Sequence, residues 1–269
     1  MDLKNVVDTH THSKFSHDSV CEISDMLSAQ RLRSVFGFGV TDHFDISDYN
    51  GESSFEKIGE SVSEAKRLDS PSFRVFSGVE IGAGARNPKV FKMLSKAFDY
   101  DIVLGSVHRL LFKGKIMQTS VTDFRTWDER DLYALMHCYY DETLTLLAEC
   151  EFDVLTHLNY PLRYITVKAG REIDLKEFDE KIDLIFKTVI QKGICLEVNT
   201  AKIEHSLTPG VEYIKRYFEL GGRKVTLGSD AHVVDNASKG FEDAIAVLKS
   251  VGFENAYYFE KRLPRQFRL

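Results

Sequence analysis

The sequence contains few of the features that mark membrane, secreted or multi-domain proteins. No apolar stretch among its 269 residues approaches the ~20 residues that a membrane-spanning helix needs. Its first residues, Met1-Asp2-Leu3-Lys4, lack the apolar run of a secretory signal peptide. Only five prolines occur, and no serine- or glycine-rich linker interrupts the chain. These absences favour a cytoplasmic protein that folds as one domain over residues 1–269.

Cysteine and positive charge are also scarce. The four cysteines form no CxxC pair, so we expect reduced, buried thiols rather than disulfides or a zinc site. With 35 Lys and Arg against 41 Asp and Glu, the formal charge is −6. This balance argues against binding to a nucleic acid polymer or to a membrane surface. An acidic protein can still bind a phosphate locally where metals and a few arginines surround it.

Histidines stand at the end of a short apolar segment near the amino terminus. Residues 6–12 read VVDTHTH, so His10 and His12 are separated by one residue. In a strand, alternate side chains share a face, and both imidazoles would point the same way. Neutral imidazole suits zinc, iron and manganese. The pair therefore predicts half of a metal site.

The same arrangement recurs in seven short apolar runs that alternate with helix-like patterns. Run 101–108 reads DIVLGSVH and run 224–232 reads KVTLGSDAH, while residues 256–259 could form a further strand. Alternating strands and helices predict a parallel sheet, and closure into a barrel would bring the strand ends to one rim. Six of the nine histidines fall at such ends, which scattered surface histidines would not do. The residues at these ends are His10, His12, His43, Glu80, His108, His157, Asp230 and His232.

So many imidazoles and carboxylates exceed the needs of one ion, so we expect two or three divalent ions of zinc, manganese or iron. Glu80 could bridge two of them. Paired metals ~3.5–4 Å apart bind a hydroxide, clamp phosphoryl oxygens and stabilise an in-line displacement. Asp230 could orient that hydroxide or take its proton. The composition of the rim is thus typical of a site where metal ions activate water for hydrolysis.

Ordered motifs extend this interpretation. DTHTH, Asp18, TDH, GVE, GSVH, THLN and GSDAH follow one another from Asp8 to His232. The set resembles the polymerase and histidinol phosphatase (PHP) superfamily, and the stretches HLNYPLRY and EVNT resemble its histidinol-phosphate phosphatases. This resemblance implies a distorted (β/α)7 barrel with a trinuclear metal centre. It also implies hydrolysis of L-histidinol phosphate to L-histidinol and phosphate.

The resemblance assigns the site residue by residue. Phosphate would bind across the metals, the bridging hydroxide would attack, and Asp230 or a protonated histidine, His43 or His232, would assist the departing alcohol. The implied ligands are His10, His12, Glu80 and Asp230 for one ion, Glu80, His108 and His157 for a second, and Asp18, His43 and His232 for a third.

The residues expected to contact the substrate match the family motifs less closely than the metal ligands do. Arg163 lies just beyond a metal-bearing strand end and is a candidate for the phosphate. Related phosphatases tend to carry an arginine after the Asn-Thr pair, where this chain reads AKIEH, so Lys202 or His205 would take its place. Asn159 stands where the family often has aspartate, and we expect it outside the direct ligands. Glu197 either orients a ligand histidine or is a buried, hydrogen-bonded carboxylate.

Three other functions compete with this interpretation. Another PHP phosphoesterase, acting on nucleotide or sugar phosphates, would share the ligands and differ in the pocket. An amidohydrolase-like deaminase or amidase also begins with HxH on a barrel strand, but His232 and Asp18 disfavour it. A non-catalytic PHP module should have lost some ligands, whereas all nine expected positions are filled here.

Overall fold

The computed structural model describes residues 3–48, 54–201 and 207–269. Within these ranges the helices begin and end close to the helix-like patterns of the sequence. They are α1 (Ile23–Leu32), α2 (Phe55–Leu68), α3 (Pro88–Leu94), α4 (Glu129–Glu149), α5 (Asp179–Lys192), α6 (Val211–Glu219) and α7 (Phe241–Val251). The strands are β1 (Val7–Thr11), β2 (Gly37–Val40), β3 (His43–Asp45), β4 (Arg74–Gly82), β5 (Ile102–Ser106), β6 (Arg109–Phe112), β7 (Lys115–Gln118), β8 (Val154–Leu155), β9 (Cys195–Asn199), β10 (Val225–Gly228), β11 (Asn255–Glu260) and β12 (Leu263–Arg268).

Seven parallel strands form a nearly closed barrel in the order β1-β2-β4-β5-β8-β9-β10, with the short β3 paired to β4. The first and last strands meet at their carboxyl ends. There the amide of His12 donates to the carbonyl of Ala231 at 2.9 Å, and the amide of Asp230 donates to the carbonyl of His10 at 2.8 Å. The predicted (β/α)7 barrel is confirmed, and its carboxyl-terminal rim carries the predicted polar residues.

Local sequence explains where several of these elements begin and end. Ser54 caps α2 by accepting a hydrogen bond from the amide of Lys57. Pro88 occupies the first turn of α3, where its missing N–H leaves no intrahelical hydrogen bond unmade. Helix α7 ends at Gly252, whose φ of 115° a residue with a Cβ rarely adopts. The boundaries therefore follow capping chemistry as well as apolar periodicity.

An antiparallel hairpin lies across the opposite, amino-terminal end of the barrel. The predicted strand at 256–259 exists within β11, but it pairs with β12 rather than with a barrel strand. Its Phe259 packs in a buried cluster with Ile102 and Val154. Arg262, in the hairpin turn, forms an ion pair with Asp153. The barrel interior is thus filled from this end, which leaves the other rim for polar chemistry.

The described helices include none with both the length and the apolar character required to cross a membrane.

Candidate metal centre

The barrel brings all nine predicted metal-binding residues to one rim. An inner and an outer group can be distinguished by position, and His43 of the outer group is as buried as the inner residues, with 7% of its side chain exposed. The inner group consists of His10, His12, Glu80, His108, His157 and Asp230, whose side chains are at most 7% exposed. The outer group consists of Asp18, His43 and His232, and its Asp18 and His232 side chains are 43% and 27% exposed. The inner residues come from strand ends, whereas Asp18 comes from the loop after β1.

Glu80 lies at the centre and contacts both groups. Its Oε1 is 3.1 Å from His108 Nε2 and 2.9 Å from His157 Nε2. Its Oε2 is 3.2 Å from His10 Nε2 and 3.0 Å from His43 Nδ1. One carboxylate thus faces nitrogen atoms of four histidines from separate strands, which is the geometry that a bridging ligand needs.

The outer group surrounds a second point on the solvent side of the centre. Asp18 Oδ2 lies 3.3 Å from His232 Nε2 and 3.6 Å from His43 Nε2, and the two imidazole nitrogens are 3.4 Å apart. The His12 ring stacks against both of these rings, with centroids 4.0 Å from His43 and 4.1 Å from His232. The two groups are therefore in contact through His12 and Glu80.

Hydrogen bonds fix the tautomers of the inner histidines in a form that suits metal binding. His10 Nδ1 donates to Glu197 Oε1 at 2.6 Å, so in the neutral ring that binds a metal its Nε2 carries the lone pair. The Ser16 hydroxyl donates to Asp42 and accepts from His12 Nδ1, so His12 Nε2 also carries a lone pair. These two lone pairs face each other across 3.0 Å.

Such a contact repels unless a cation lies between the two nitrogens. Zinc–nitrogen bonds of ~2.0–2.1 Å in a tetrahedron place the donor atoms roughly 3.3–3.4 Å apart. The Nε2 atoms of His108 and His157 are 3.3 Å apart, close to this spacing. His43 Nδ1 is buried, and its contact with Glu80 Oε2 at 3.0 Å lacks the geometry of a hydrogen bond. The donor set therefore fits divalent metal ions, and four triads of its residues could each hold one.

The pKa shifts of the rim residues also favour the binding of cations. Burial alone would lower the pKa of His108, but the carboxylates of Glu80 and Asp45 raise that pKa to about 9. Burial would raise the pKa of Asp230, but His10 and Arg163 hold that pKa well below its ordinary value. The buried carboxylates are therefore ionised, and they require positive charge that protons or metal ions can supply.

Strained backbone is concentrated at the rim. His157, Asn159 and Asp230 have φ values of 22°, 81° and 53°, in the left-handed region that costs non-glycine residues about 1–3 kcal/mol each. The His157 amide donates to Glu197 at 2.7 Å, which holds the strained residue in place. Asn159 Oδ1 accepts from Tyr140 at 2.7 Å. The strain orients side chains that an extended strand end would direct elsewhere.

Arg163, the predicted phosphate contact, reaches the rim from the segment after β8. Its Nη1 donates to Asp230 Oδ2 at 2.8 Å and its Nη2 donates to Asn199 Oδ1 at 2.6 Å. Its Nε is buried and has no hydrogen-bond partner among the described residues. A cavity of about 100 Å³ lies between Arg163 and the histidines. Of the other predicted contacts, Lys202 and His205 lie outside the described residues.

Two residues that were not predicted from the sequence orient the ring nitrogens. Asp45 Oδ1 lies 3.3 Å from His108 Nδ1, and it follows His43 by two residues, so alternation along β3 could have revealed it. Ser16 contacts both His12 Nδ1 and the His43 amide, and a lone serine in a loop gave no signal. Both supply hydrogen bonds of the kind that orient metal ligands.

Comparisons with known proteins agree with this geometry. The PHP domain family model matches residues 8–201. The chain is 31% identical to a probable histidinol-phosphatase of Clostridium acetobutylicum, over 97% of this chain and 99% of that protein. It is 30% identical to a probable histidinol-phosphatase of Thermotoga maritima, over 93% and 94% of the two chains.

A solved structure shares the fold across almost the whole chain. It is a histidinol phosphate phosphatase from Lactococcus lactis in complex with zinc, L-histidinol and phosphate, 20% identical, with a TM-score of 0.75 over 97% of this chain and 99% of that one. The family model, the two relatives and the shared barrel lead to one conclusion. The chain belongs to the PHP domain family.

Proposed function

We propose that this protein is a metal-dependent phosphomonoesterase that hydrolyses L-histidinol phosphate to L-histidinol and phosphate. The observation that carries the proposal is the convergence of nine histidine, aspartate and glutamate side chains on one rim, centred on Glu80 and facing Arg163. The relatives named histidinol-phosphatase support the choice of substrate.

The metal assignment follows the two groups of residues. His10, His12, Glu80 and Asp230 would hold one ion, Glu80, His108 and His157 a second, and Asp18, His43 and His232 a third. We propose three divalent ions of zinc, manganese or iron, because imidazole and carboxylate ligands accept each of these metals. When bound, they supply a hydroxide at neutral pH and neutralise charge on the phosphoryl oxygens.

Arg163 is positioned to bind the substrate phosphate. Its guanidinium is already oriented by Asp230 and Asn199, and its buried Nε leaves a donor unpaired. The Tyr160 ring lies 5.3 Å from the guanidinium carbon, which further restricts its movement. An arginine held in this way binds a phosphoryl oxygen without losing much side-chain freedom.

Asp230 is the best candidate for orienting the attacking water. His10 and Arg163 hold its pKa low, so it is ionised and can accept a hydrogen bond from that water. His43 and His232, the other predicted acids, face each other and Asp18 through Nε2, an arrangement that suits ligation better than proton donation.

A substrate screen tests the proposal. Phosphate release would be measured with zinc, manganese or iron for L-histidinol phosphate, p-nitrophenyl phosphate, a nucleoside monophosphate and glucose 6-phosphate. We expect kcat/KM for L-histidinol phosphate to exceed the others by roughly 10²-fold or more, because a polar pocket rejects esters that leave its groups unpaired. Equal or faster turnover of the nucleotide or sugar phosphate would instead identify another phosphoesterase of the same family. Elemental analysis of protein purified without chelator would count the ions.

A further inference from the structure

Glu197 occupies the barrel interior in β9 and is fully buried. Its carboxylate passes over Gly228 of the neighbouring β10 to reach His10 on β1. A Cβ added at Gly228 would lie 2.0 Å from Glu197 Oε1 and 2.8 Å from His10 Cβ. The absence of a side chain at this position therefore allows a glutamate from one strand to contact a histidine two strands away.

The carboxylate accepts hydrogen bonds from three donors that serve different parts of the site. Oε1 accepts from His10 Nδ1 at 2.6 Å. Oε2 accepts from the backbone amide of His157 at 2.7 Å and from Asn199 Nδ2 at 3.0 Å. Asn199 in turn accepts from Arg163 through its Oδ1. One side chain thus contacts a ligand imidazole, the strained backbone of a second ligand and the amide that holds the predicted phosphate-binding arginine.

Each contact sets an orientation that the site uses. The bond to His10 places the proton on Nδ1 and leaves the Nε2 lone pair facing His12 and Glu80. The bond to His157 fixes a backbone with φ of 22°, and the His157 ring then meets Glu80 at 2.9 Å. The bond to Asn199 Nδ2 turns its Oδ1 towards Arg163.

We infer that Glu197 is a positioning residue that sets the orientation of two metal-binding histidines and, through Asn199, of the phosphate-binding arginine. This inference rests on the proposed metal centre. It goes beyond the ligand set, because both Glu197 oxygens accept hydrogen bonds from protein groups and the residue acts through these three neighbours. It also explains why glycine occurs at 228.

The isosteric change Glu197→Gln separates positioning from volume. A glutamine offers one acceptor and one donor group, whereas all three neighbours require an acceptor. With its oxygen towards His157 and Asn199, its amide nitrogen meets His10 Nδ1 and takes away that acceptor. With the opposite orientation, the glutamine nitrogen meets two other donors, the His157 amide and Asn199 Nδ2. Either way at least one of the three groups loses its orientation.

Zinc binding and proton magnetic resonance provide the readout. Because loss of such a partner weakens metal binding by about 10–100-fold, we expect the zinc Kd of Glu197→Gln to rise by that factor. We also expect loss of the downfield proton resonance of His10 Nδ1 in the zinc-loaded protein, and incomplete recovery of kcat in excess zinc. Wild-type zinc affinity together with an unchanged His10 resonance would overturn the inference.

Two further variants test whether position, rather than charge or burial, is responsible. Gly228→Ala retains the carboxylate but forces it away from His10, so we expect it to weaken zinc binding as Glu197→Gln does. If it folds and keeps wild-type affinity, the positioning role is refuted. Asp153→Asn removes a largely buried carboxylate at the opposite end of the barrel, far from the metal centre. We expect this variant to bind zinc with wild-type affinity. Because zinc binding is measured without substrate, failure of L-histidinol phosphate as a substrate would leave these results interpretable.

Discussion

The inner and outer groups of the metal centre differ in how the fold holds them. Inner residues such as His10 and Glu80 are fully buried, and Glu80 belongs to β4, which is paired with β2 on one side and β5 on the other. Asp18 belongs to an exposed loop, and His232 follows the end of β10 by four residues. Burial and a fixed backbone favour tight binding, because the ligands lose little further freedom when an ion binds. The comparison teaches that the residues of one rim can differ in how firmly the fold holds them before any ion binds.

The largest effect should come from Glu80→Gln, because Glu80 contacts both groups. The amide nitrogen that replaces one carboxylate oxygen has no lone pair for a metal ion. An ion bound by a histidine on that side would therefore lose one ligand atom. We expect kcat/KM to fall by about 10³-fold or more, equal to about 4 kcal/mol of transition-state stabilisation, with loss of inner ions. Phosphate release and elemental analysis would measure both quantities.

Glu142→Gln is the matched control for that experiment. Glu142 is a half-buried carboxylate that pairs with Arg86 and lies outside the rim. We expect its variant to keep wild-type metal content and activity. Retention of both by Glu80→Gln would show that the inner group does not depend on a bridging carboxylate.

A smaller effect is expected from Asp18→Asn in the outer group. The variant should lose one equivalent of metal while it keeps the inner ions, and kcat/KM should fall by about 10²-fold, or about 2.7 kcal/mol. Raising the zinc concentration should restore much of the activity, because His43 and His232 remain. Metal content during dialysis and activity against zinc concentration provide the measurements.

Exposed Asp99, at the other end of the barrel, supplies the control for Asp18. Asp99→Asn should bind metal and turn over substrate as the unaltered chain does. Asp18→Asn could instead lose all its ions, and its kcat/KM could fall as far as that of Glu80→Gln. The inner and outer groups would then bind metal as one unit.

Much of this arrangement could be predicted from the sequence because residues at the carboxyl ends of parallel barrel strands all lie on the same rim. An apolar run followed by His108 or His157 marks a strand end, and parallel strands bring their ends together. Within β1, alternation alone placed His10 and His12 on one face. Eight of the nine predicted ligands therefore met because they depended only on strand ends and on closure, whereas Asp18 comes from the loop after β1.

The remaining contacts depend on distances between strands that no local pattern contains. The path of Glu197 over Gly228 to His10 requires the barrel curvature, and the link from Ser16 to two histidines requires the conformation of a loop. The hairpin of β11 and β12 was missed for a related reason. Its apolar alternation predicts a strand, but only the Lys261–Arg262 turn, with positive φ at both residues, directs it back on itself.

The smallest effect should come from Ser16→Ala, which tests whether the two groups are independent. Ser16 Oγ accepts from His12 Nδ1 at 3.1 Å and from the His43 amide at 3.0 Å, and it donates to Asp42 at 2.7 Å. His12 is in the inner group and His43 in the outer group. Because both lose one hydrogen bond, we expect zinc affinity and kcat/KM to fall by about 10-fold, with inner and outer ions affected together.

Ser61→Ala removes a hydroxyl that donates to the same Asp42 carboxylate at 2.6 Å from α2, so it controls for damage to that carboxylate. We expect Ser61→Ala to leave zinc affinity near the wild-type value. An equal loss in both variants would assign the effect to Asp42 rather than to the ring nitrogens. Loss of only one class of ion in Ser16→Ala would show that the inner and outer groups bind independently, because the serine would then orient one histidine alone.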